Sequence, residues 1–303
     1  MIVTAVLTAV VVWLLFYGTV ATLPLGMICA AAGAGLAALG RHSHDGVLSI
    51  DVIAQRSRLC SVNPALKVCG CVGLLIFCVA ADSVPVGVGL ALAMLLLTVA
   101  AGGLPLHDYL ALLALPAAFM LVSGLALLFS WEKSPVGVIN LPLAGGWLSV
   151  TAAAQARTLL VMAKALGAVS CLYLLSLSTP MTDIINVLRR ARVPAVVVEL
   201  MYLIYRYIFI LLNMHRTMRD AAESRLGYDS YRQSLRTTGQ IYGNLLALSF
   251  RKAGACFDAM ESRCYDGEIR FLEQAKPLRP LHILTAVGLA LLAAGLLFAG
   301  GRV

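Results

Sequence analysis

Apolar residues run along this chain in long blocks. Residues 1–17, 23–39, 64–81, 84–101, 109–129, 158–177 and 281–299 are apolar nearly all round, and each approaches the length of about 20 residues that crosses a hydrocarbon core of about 30 Å. Lipid offers no partner for backbone polar groups, so each block predicts a transmembrane helix. The stretch 193–214 is as apolar but contains Glu199 and Arg206, each costing about 2.5–3.5 kcal/mol near a bilayer centre. A crossing there would also put the basic segment that follows on the wrong side. The pattern therefore predicts a helix lying along the cytoplasmic membrane surface or packed under the bundle.

The polar part of the chain reads as three helices. Thr179 is placed as the N-cap of the first, with Pro180 at its first position and a stop before Pro194. The second starts near Ala195 and runs to about Leu226, with Gly227 as a left-handed cap. The third runs from near Ser230 to near Cys264 and closes on the Asp266-Gly267 turn. In this third helix Tyr242, Leu245, Leu246, Ala253, Phe257 and Met260 recur at three- and four-residue spacing, which predicts one buried face.

Composition agrees with lipid as the main solvent: 60% of the 303 residues are apolar and 13% are charged, against about 25% charged in a soluble chain. The net charge of +8 raises nucleic acid as a partner, but its location argues otherwise. Of the 23 Lys and Arg, 15 lie in 181–282 together with 10 of the 15 acids. That mixture with a basic excess suits a cytoplasmic face better than a nucleic-acid groove, so no nucleic-acid partner is expected. The positive-inside bias puts this region and 41–67, with Arg41, Arg56, Arg58 and Lys67, in the cytoplasm, and the 131–151 connection outside. Four crossings separate the two basic regions, which is self-consistent. The expected fold is an all-α integral membrane protein of about seven transmembrane helices with long amphipathic helices in the cytoplasm. The eight cysteines mostly sit in apolar runs without zinc-like spacing and read as small hydrophobes. Met1 leads directly into an apolar run, read as a retained membrane segment.

Two tripeptides near the ends of the long polar helices match: Ser224-Arg225-Leu226 and Ser262-Arg263-Cys264, each preceded by an acid, Glu223 or Glu261. An exposed Arg at a helix end can enter a partner's groove and make a bidentate contact. The bland reading is an Arg that complements the helix dipole, worth about 0.3–1 kcal/mol. Two such ends 38 residues apart suit a dimeric partner with two equivalent grooves. Lys164, about 10 Å into its span, either snorkels outward or faces a partner. The loop 41–45 offers His42, His44 and Asp45, too few ligands for a closed metal site, so no metal or cofactor is expected. No phosphate-binding loop, HExxH or GxSxG occurs, so energy must come from another polypeptide. A membrane-embedded lipid-modifying enzyme is the competing class, with Asp183, Glu199 and His215 as its scattered candidates.

Several stretches resemble the CbiQ-type transmembrane coupling component of energy-coupling-factor (ECF) transporters for cobalt or nickel. They are Ile50-Asp51 on to Ser57, Asn63-Pro64-Ala65-Leu66-Lys67, Ser178-Thr179-Pro180, Tyr205-Arg206-Tyr207-Ile208, Ala259-Met260-Glu261-Ser262-Arg263 and Tyr265-Asp266-Gly267-Glu268. Together they span about 85% of the chain, from Leu48 onward. The resemblance implies that Arg225 and Arg263 centre two motifs that dock on a pair of cytoplasmic ATPases. Pro180, Pro194, Arg206, Gly227 and Gly267 are then supporting positions. It further implies a membrane substrate-capture subunit as second partner, a bacterial inner-membrane location, no catalysis on this chain, and cobalt, nickel or a vitamin-type cargo. The usual motif is Ala-Arg-Gly or close to it, whereas this chain has Ser before each Arg and Leu or Cys after. The implied organisation is an extra hairpin at 1–47, a transmembrane bundle at 48–178, coupling helices at 179–280 and a last transmembrane helix at 281–303.

Overall fold

A computed structural model describes residues 2–16, 51, 53–132, 139–143, 146–266, 276 and 280–300. The expected span at 23–39, the loop at 41–45 and Gly267 lie outside the described residues. The helices are α1 (Ile2–Phe16), α2 (Pro64–Ala80), α3 (Val84–Leu96), α4 (Leu106–Leu128), α5 (Ala152–Ser178), α6 (Met181–Arg190), α7 (Ala195–Glu223), α8 (Tyr231–Glu261) and α9 (Pro280–Gly300). Among the described residues, four helical stretches are long and apolar enough to cross a membrane: Val84–Ala101, Leu106–Leu128, Ala152–Ser178 and Ala195–Glu223. Pro64–Ala80 and Val287–Phe298 are shorter apolar helices. The chain divides into two compact units, Met1–Pro180 with Lys276–Val303, and Met181–Ala275.

In the first unit α5 is the central element and packs against α1, α2, α3 and α4. Its buried residues Ala163, Gly167, Ser170, Cys171, Leu174 and Leu177 recur at three and four positions, the stripe of a helix with neighbours on one side. The approach of α3 to α5 is backbone on backbone. A Cβ on Gly87 would collide with the Ala163 carbonyl, and one on Gly167 would lie 2.6 Å from the Cys78 sulfur and 2.9 Å from the Gly87 oxygen. Without a hydrophobic driving force between helices in lipid, such small-residue contact supplies the dispersion energy that holds them. Around this crossing Cys71, Cys78, Val86, Leu90, Met94 and Ala293 close one core. A second core joins α1 and α4 through Val11, Leu15, Leu121 and Leu128.

Two expectations need correction here, and one connection holds more than was expected of it. The 131–151 connection, for which the sequence suggested only its side of the membrane, carries an antiparallel sheet of β1 (Ser130–Glu132), β2 (Ile139–Leu143) and β3 (Gly146–Val150) in the order β1-β3-β2. Trp131 and Leu141 both pair with Leu148 across it. The helix expected to start at 158 begins at Ala152, because the Thr151 side chain caps it by accepting from Ala154 N at 3.2 Å. The polar Gln155 is then satisfied by donating to the Leu14 carbonyl at 2.8 Å. Finally, Thr179 is the C-cap of α5, its N–H donating to Leu175 O, and Pro180 precedes the first residue of α6. The continuous span at 84–101 also changes pitch: it becomes a π-helix over Leu97–Ala101, where Thr98 Oγ1 donates to Met94 O at 2.7 Å.

Lys164 snorkels. Its ammonium donates to Asp82 Oδ1 at 2.7 Å, in the turn between α2 and α3, and to Val79 O at 3.0 Å, in the last turn of α2. The ammonium holds the Asp82 carboxyl below the usual carboxylate range. The pair is therefore fully formed above about pH 4 and weakens as pH falls through the depressed value.

The α3–α5 crossing yields a direct test. Gly87→Leu or Gly167→Leu forces two backbones apart, with an expected loss of about 1–3 kcal/mol by overpacking, read as a lower thermal midpoint in detergent. Gly239→Ala, inside α8 where an added Cβ meets nothing within 4 Å, is expected to hold or raise that midpoint, since alanine is the better helix former.

Candidate functional site

In the second unit α7 and α8 form an antiparallel pair. Tyr265 OH donates to Glu199 Oε2 at 3.4 Å, the His215 and Tyr242 rings stack at 5.5 Å, and Thr237 Oγ1 donates to the Gly227 carbonyl at 2.9 Å. Numbers fall on one helix as they rise on the other. Burial first, then the Glu199 carboxylate, pushes the Tyr265 phenol up, so at neutral pH it is the donor of that contact.

The two arginine motifs have the same backbone. Leu226 N donates to Glu223 O at 3.0 Å and Gly227 N to Ala222 O at 2.9 Å; Cys264 N donates to Glu261 O at 3.0 Å and Tyr265 N to Met260 O at 3.2 Å. Both are Schellman ends, in which the residue after the cap turns left-handed. That residue is Leu226 at φ 57° and Cys264 at φ 59°. Gly227 is thus not the left-handed cap expected from the sequence. It is buried for another reason: a Cβ there would lie 2.8 Å from the Ala222 oxygen and 3.1 Å from Thr237.

The geometry gives each tripeptide position a job. The serine hydroxyls turn back on the helix, Ser224 onto Asp220 O at 2.8 Å and Ser262 onto Ala259 O at 3.0 Å. Arg225 and Arg263 are the last residues before the chain reverses, and both are exposed. The third position carries the positive φ, where a side chain costs about 1–2 kcal/mol. A glycine in the resembled motif removes that strain, which explains the pattern and marks Leu226 and Cys264 as departures from it. Because α7 and α8 are antiparallel, the two arginines sit at opposite ends of the pair. The 31 residues of α8 separate them by about 45 Å.

The sequence missed a third end of this kind. Behind α6, Arg192 has φ 62°, with Arg192 N donating to Arg189 O and Val193 N to Leu188 O. No glycine signals it. Here the arginine is itself the left-handed residue, and Pro194 then starts α7 as its N-cap. Arg206 is exposed in mid-helix.

The apolar face of α8 also differs from expectation. Tyr242, Leu246 and Phe257 are exposed, and in α8 only Ile241 is buried. The spacing groups these residues, but the burial expected of them is not seen: the His215 ring stacks on Tyr242, while Leu246 and Phe257 stay exposed among the described residues.

Two further stretches named by the resemblance meet in the first unit. Lys67 Nζ donates to Ser178 O at 2.8 Å and to Leu59 O at 3.0 Å. Asn63 caps α2 through Ala65 N and donates to Lys276 O at 2.9 Å. The residues of the competing enzyme reading do not converge: Glu199 is bonded to Tyr265, His215 stacks on Tyr242, and 16 residues of α7 put them about 24 Å apart.

Comparison with known proteins points one way. The family described as CbiQ, cobalt transport protein, matches residues 55–274. An uncharacterized protein of Methanocaldococcus jannaschii is 30% identical over 74% of this chain and 83% of its own length. The cobalt transport protein CbiQ of Rhodobacter capsulatus is 30% identical over 83% of this chain and 99% of its own. A protein of Methanocorpusculum labreanum, named as a fused cobalt transport protein CbiMQ, is 33% identical over 46% of this chain and 23% of its own length.

The strained third position is testable. Leu226→Gly is expected to stabilise the protein by about 1 kcal/mol, because Leu226 is 71% exposed and loses little packing. Cys264→Gly is expected to act alike, both read as a rise in the thermal midpoint.

Proposed function

The chain belongs to the CbiQ family of cobalt transport proteins, and we propose that it is the transmembrane coupling subunit of an ECF-type ABC importer. It is a multi-pass membrane protein, and its relatives are named for cobalt transport. In this reading residues 179–280 form the cytoplasmic coupling region, and the remainder forms the membrane bundle. The α7 helix lies along the cytoplasmic membrane surface, since Glu199 and Arg206 oppose burial in hydrocarbon.

One observation carries the reading: two exposed arginines of the same backbone geometry stand at the two far ends of one antiparallel helix pair. A monomeric partner would have to present two unlike sockets about 45 Å apart. A dimer of identical ATPases presents them by symmetry. Each guanidinium enters one subunit and makes a bidentate contact with a carboxylate or with backbone carbonyls. When nucleotide hydrolysis changes the spacing of the sockets, the pair is loaded at both ends. The strain passes to a capture subunit held in the membrane. The chain itself supplies no chemistry. Cobalt is the cargo favoured by the relatives' names, with nickel the neighbouring ion for the same machinery. The fused relative supports a capture subunit that works beside this one.

The test is a charge reversal at both ends. Arg225→Glu or Arg263→Glu alone is expected to weaken ATPase retention about 30-fold, the scale of about 2 kcal/mol for a buried charged anchor. The double variant is expected to lose the ATPase on affinity purification and to abolish cobalt uptake by cells. Retention of the ATPase by a membrane-inserted double variant overturns the proposal.

A further inference from the structure

The chain leaves the first unit after Pro180 and returns to it at Lys276. Boundaries between compact units usually fall in exposed, loosely held linkers. The departing end is of the opposite kind: Ser178 is 1% exposed and Thr179 2%, and Pro180 is buried beside them. The bonds that hold this end and the returning one converge on a single turn, and all of them lie within the first unit.

That turn consists of the short 3-10 helix Arg58–Ser61 and the start of α2 with its cap Asn63. The last carbonyls of α5 have no partner inside their own helix. Lys67 Nζ, in the first turn of α2, takes the Ser178 carbonyl at 2.8 Å and the Leu59 carbonyl at 3.0 Å. From the returning end, Lys276 Nζ donates to the Cys60 carbonyl at 2.8 Å. Asn63 uses both halves of its amide. Its Oδ1 accepts from Ala65 N at 3.0 Å and so caps α2, while its Nδ2 donates to Lys276 O at 2.9 Å. Two successive carbonyls, Leu59 and Cys60, thus serve the two ends of the excursion 181–275.

The turn is anchored in the other direction as well. Ser57 Oγ and Arg58 N both donate to Gly102 O at 3.3 Å. Gly102 follows the π-helix Leu97–Ala101 that ends the α3 stretch, and such π segments are frequent at functional sites. The same stretch makes the backbone contact with α5 at Gly87.

We propose that this turn is a clamp for force: Lys67, Asn63 and Lys276 are positioning residues that tie both ends of the second unit's chain to the end of α3, so that movement of the coupling helices reaches the membrane bundle through them. The inference rests on the proposed coupling role and adds the route by which it is performed. A lysine that only satisfies a helix end needs one carbonyl. Two lysines, one on each end of the same excursion, meeting on adjacent carbonyls make a connection.

The experiment uses the full-length chain in complex with its ATPase in detergent, read by hydrogen–deuterium exchange with and without ATP. In the wild type, ATP is expected to change exchange in both 195–261 and 97–103. Lys67→Met, which keeps an unbranched side chain and removes both of its bonds, is expected to keep the first response and lose the second. Asn63→Asp still caps α2, since aspartate accepts as asparagine does, but it has no donor for Lys276 O and is expected to weaken the second response. Lys67→Arg, which restores a charged donor, is expected to recover it. In vesicles containing the complete transporter, cobalt taken up per ATP hydrolysed is expected to fall about tenfold in Lys67→Met with hydrolysis retained, the scale of one lost charge-assisted hydrogen bond. The proposal is overturned by a wild type whose 97–103 segment ignores ATP, or by variants at Lys67 and Asn63 that respond as the wild type does. A parallel fall of hydrolysis and uptake with a lowered thermal midpoint marks a purely structural role and also overturns it. The coupling role fails separately, through retention of the ATPase by the Arg225→Glu, Arg263→Glu variant.

Discussion

The close approach of Gly87 and Gly167 is the contact on which the membrane unit depends. Lipid chains are as apolar as leucine, so burying a leucine against another helix gains little over leaving it in lipid. What a helix gains is density. Where α3 and α5 touch backbone to backbone, many weak contacts of about 0.1–0.2 kcal/mol each become possible. With α5 fixed in this way, α1, α2 and α4 have a surface to pack on, and Lys164 is aimed at the turn holding Asp82.

The helix pair of the second unit is built on different terms. It has few buried residues, with Val198 the one in α7 and Ile241 the one in α8. Its order comes from contacts spread along its length: Tyr265 on Glu199, the stacked His215 and Tyr242, and Thr237 on Gly227. Such a pair keeps its two ends at a fixed separation while leaving its faces open. The proposed role of passing force between two sockets calls for that division. Backbone strain at Leu226 and Cys264 falls at the same two ends, which is where strain in proteins tends to be retained for function.

The apolar helices among the described residues were legible from sequence, though not the number of crossings, because lipid imposes one rule on every residue of a span. Boundaries failed where a polar side chain found a partner that the pattern does not reveal. Gln155 reads as loop until Leu14 is seen to accept its amide. The sheet at 130–150 was missed because its strands are three to five residues long, too short for alternation to register. The arginine tripeptides were legible as a matched pair, but their turn was assigned to Gly227 because glycine is the ordinary left-handed residue. The backbone turns one residue earlier, since Gly227 is needed for the approach of Thr237.

The exposed face of α8 shows the limit of pattern reading most directly. Spacing at three and four residues reports that Tyr242, Leu246 and Phe257 share a side, and it is silent on what covers that side. In a soluble monomer the covering surface belongs to the same chain almost by necessity, because large apolar patches are rarely left in water. In a subunit of a membrane assembly that inference fails, since lipid or another polypeptide serves equally. Open apolar faces and strained ends therefore occur together in this helix pair, and under the proposed coupling role both are surfaces for another partner.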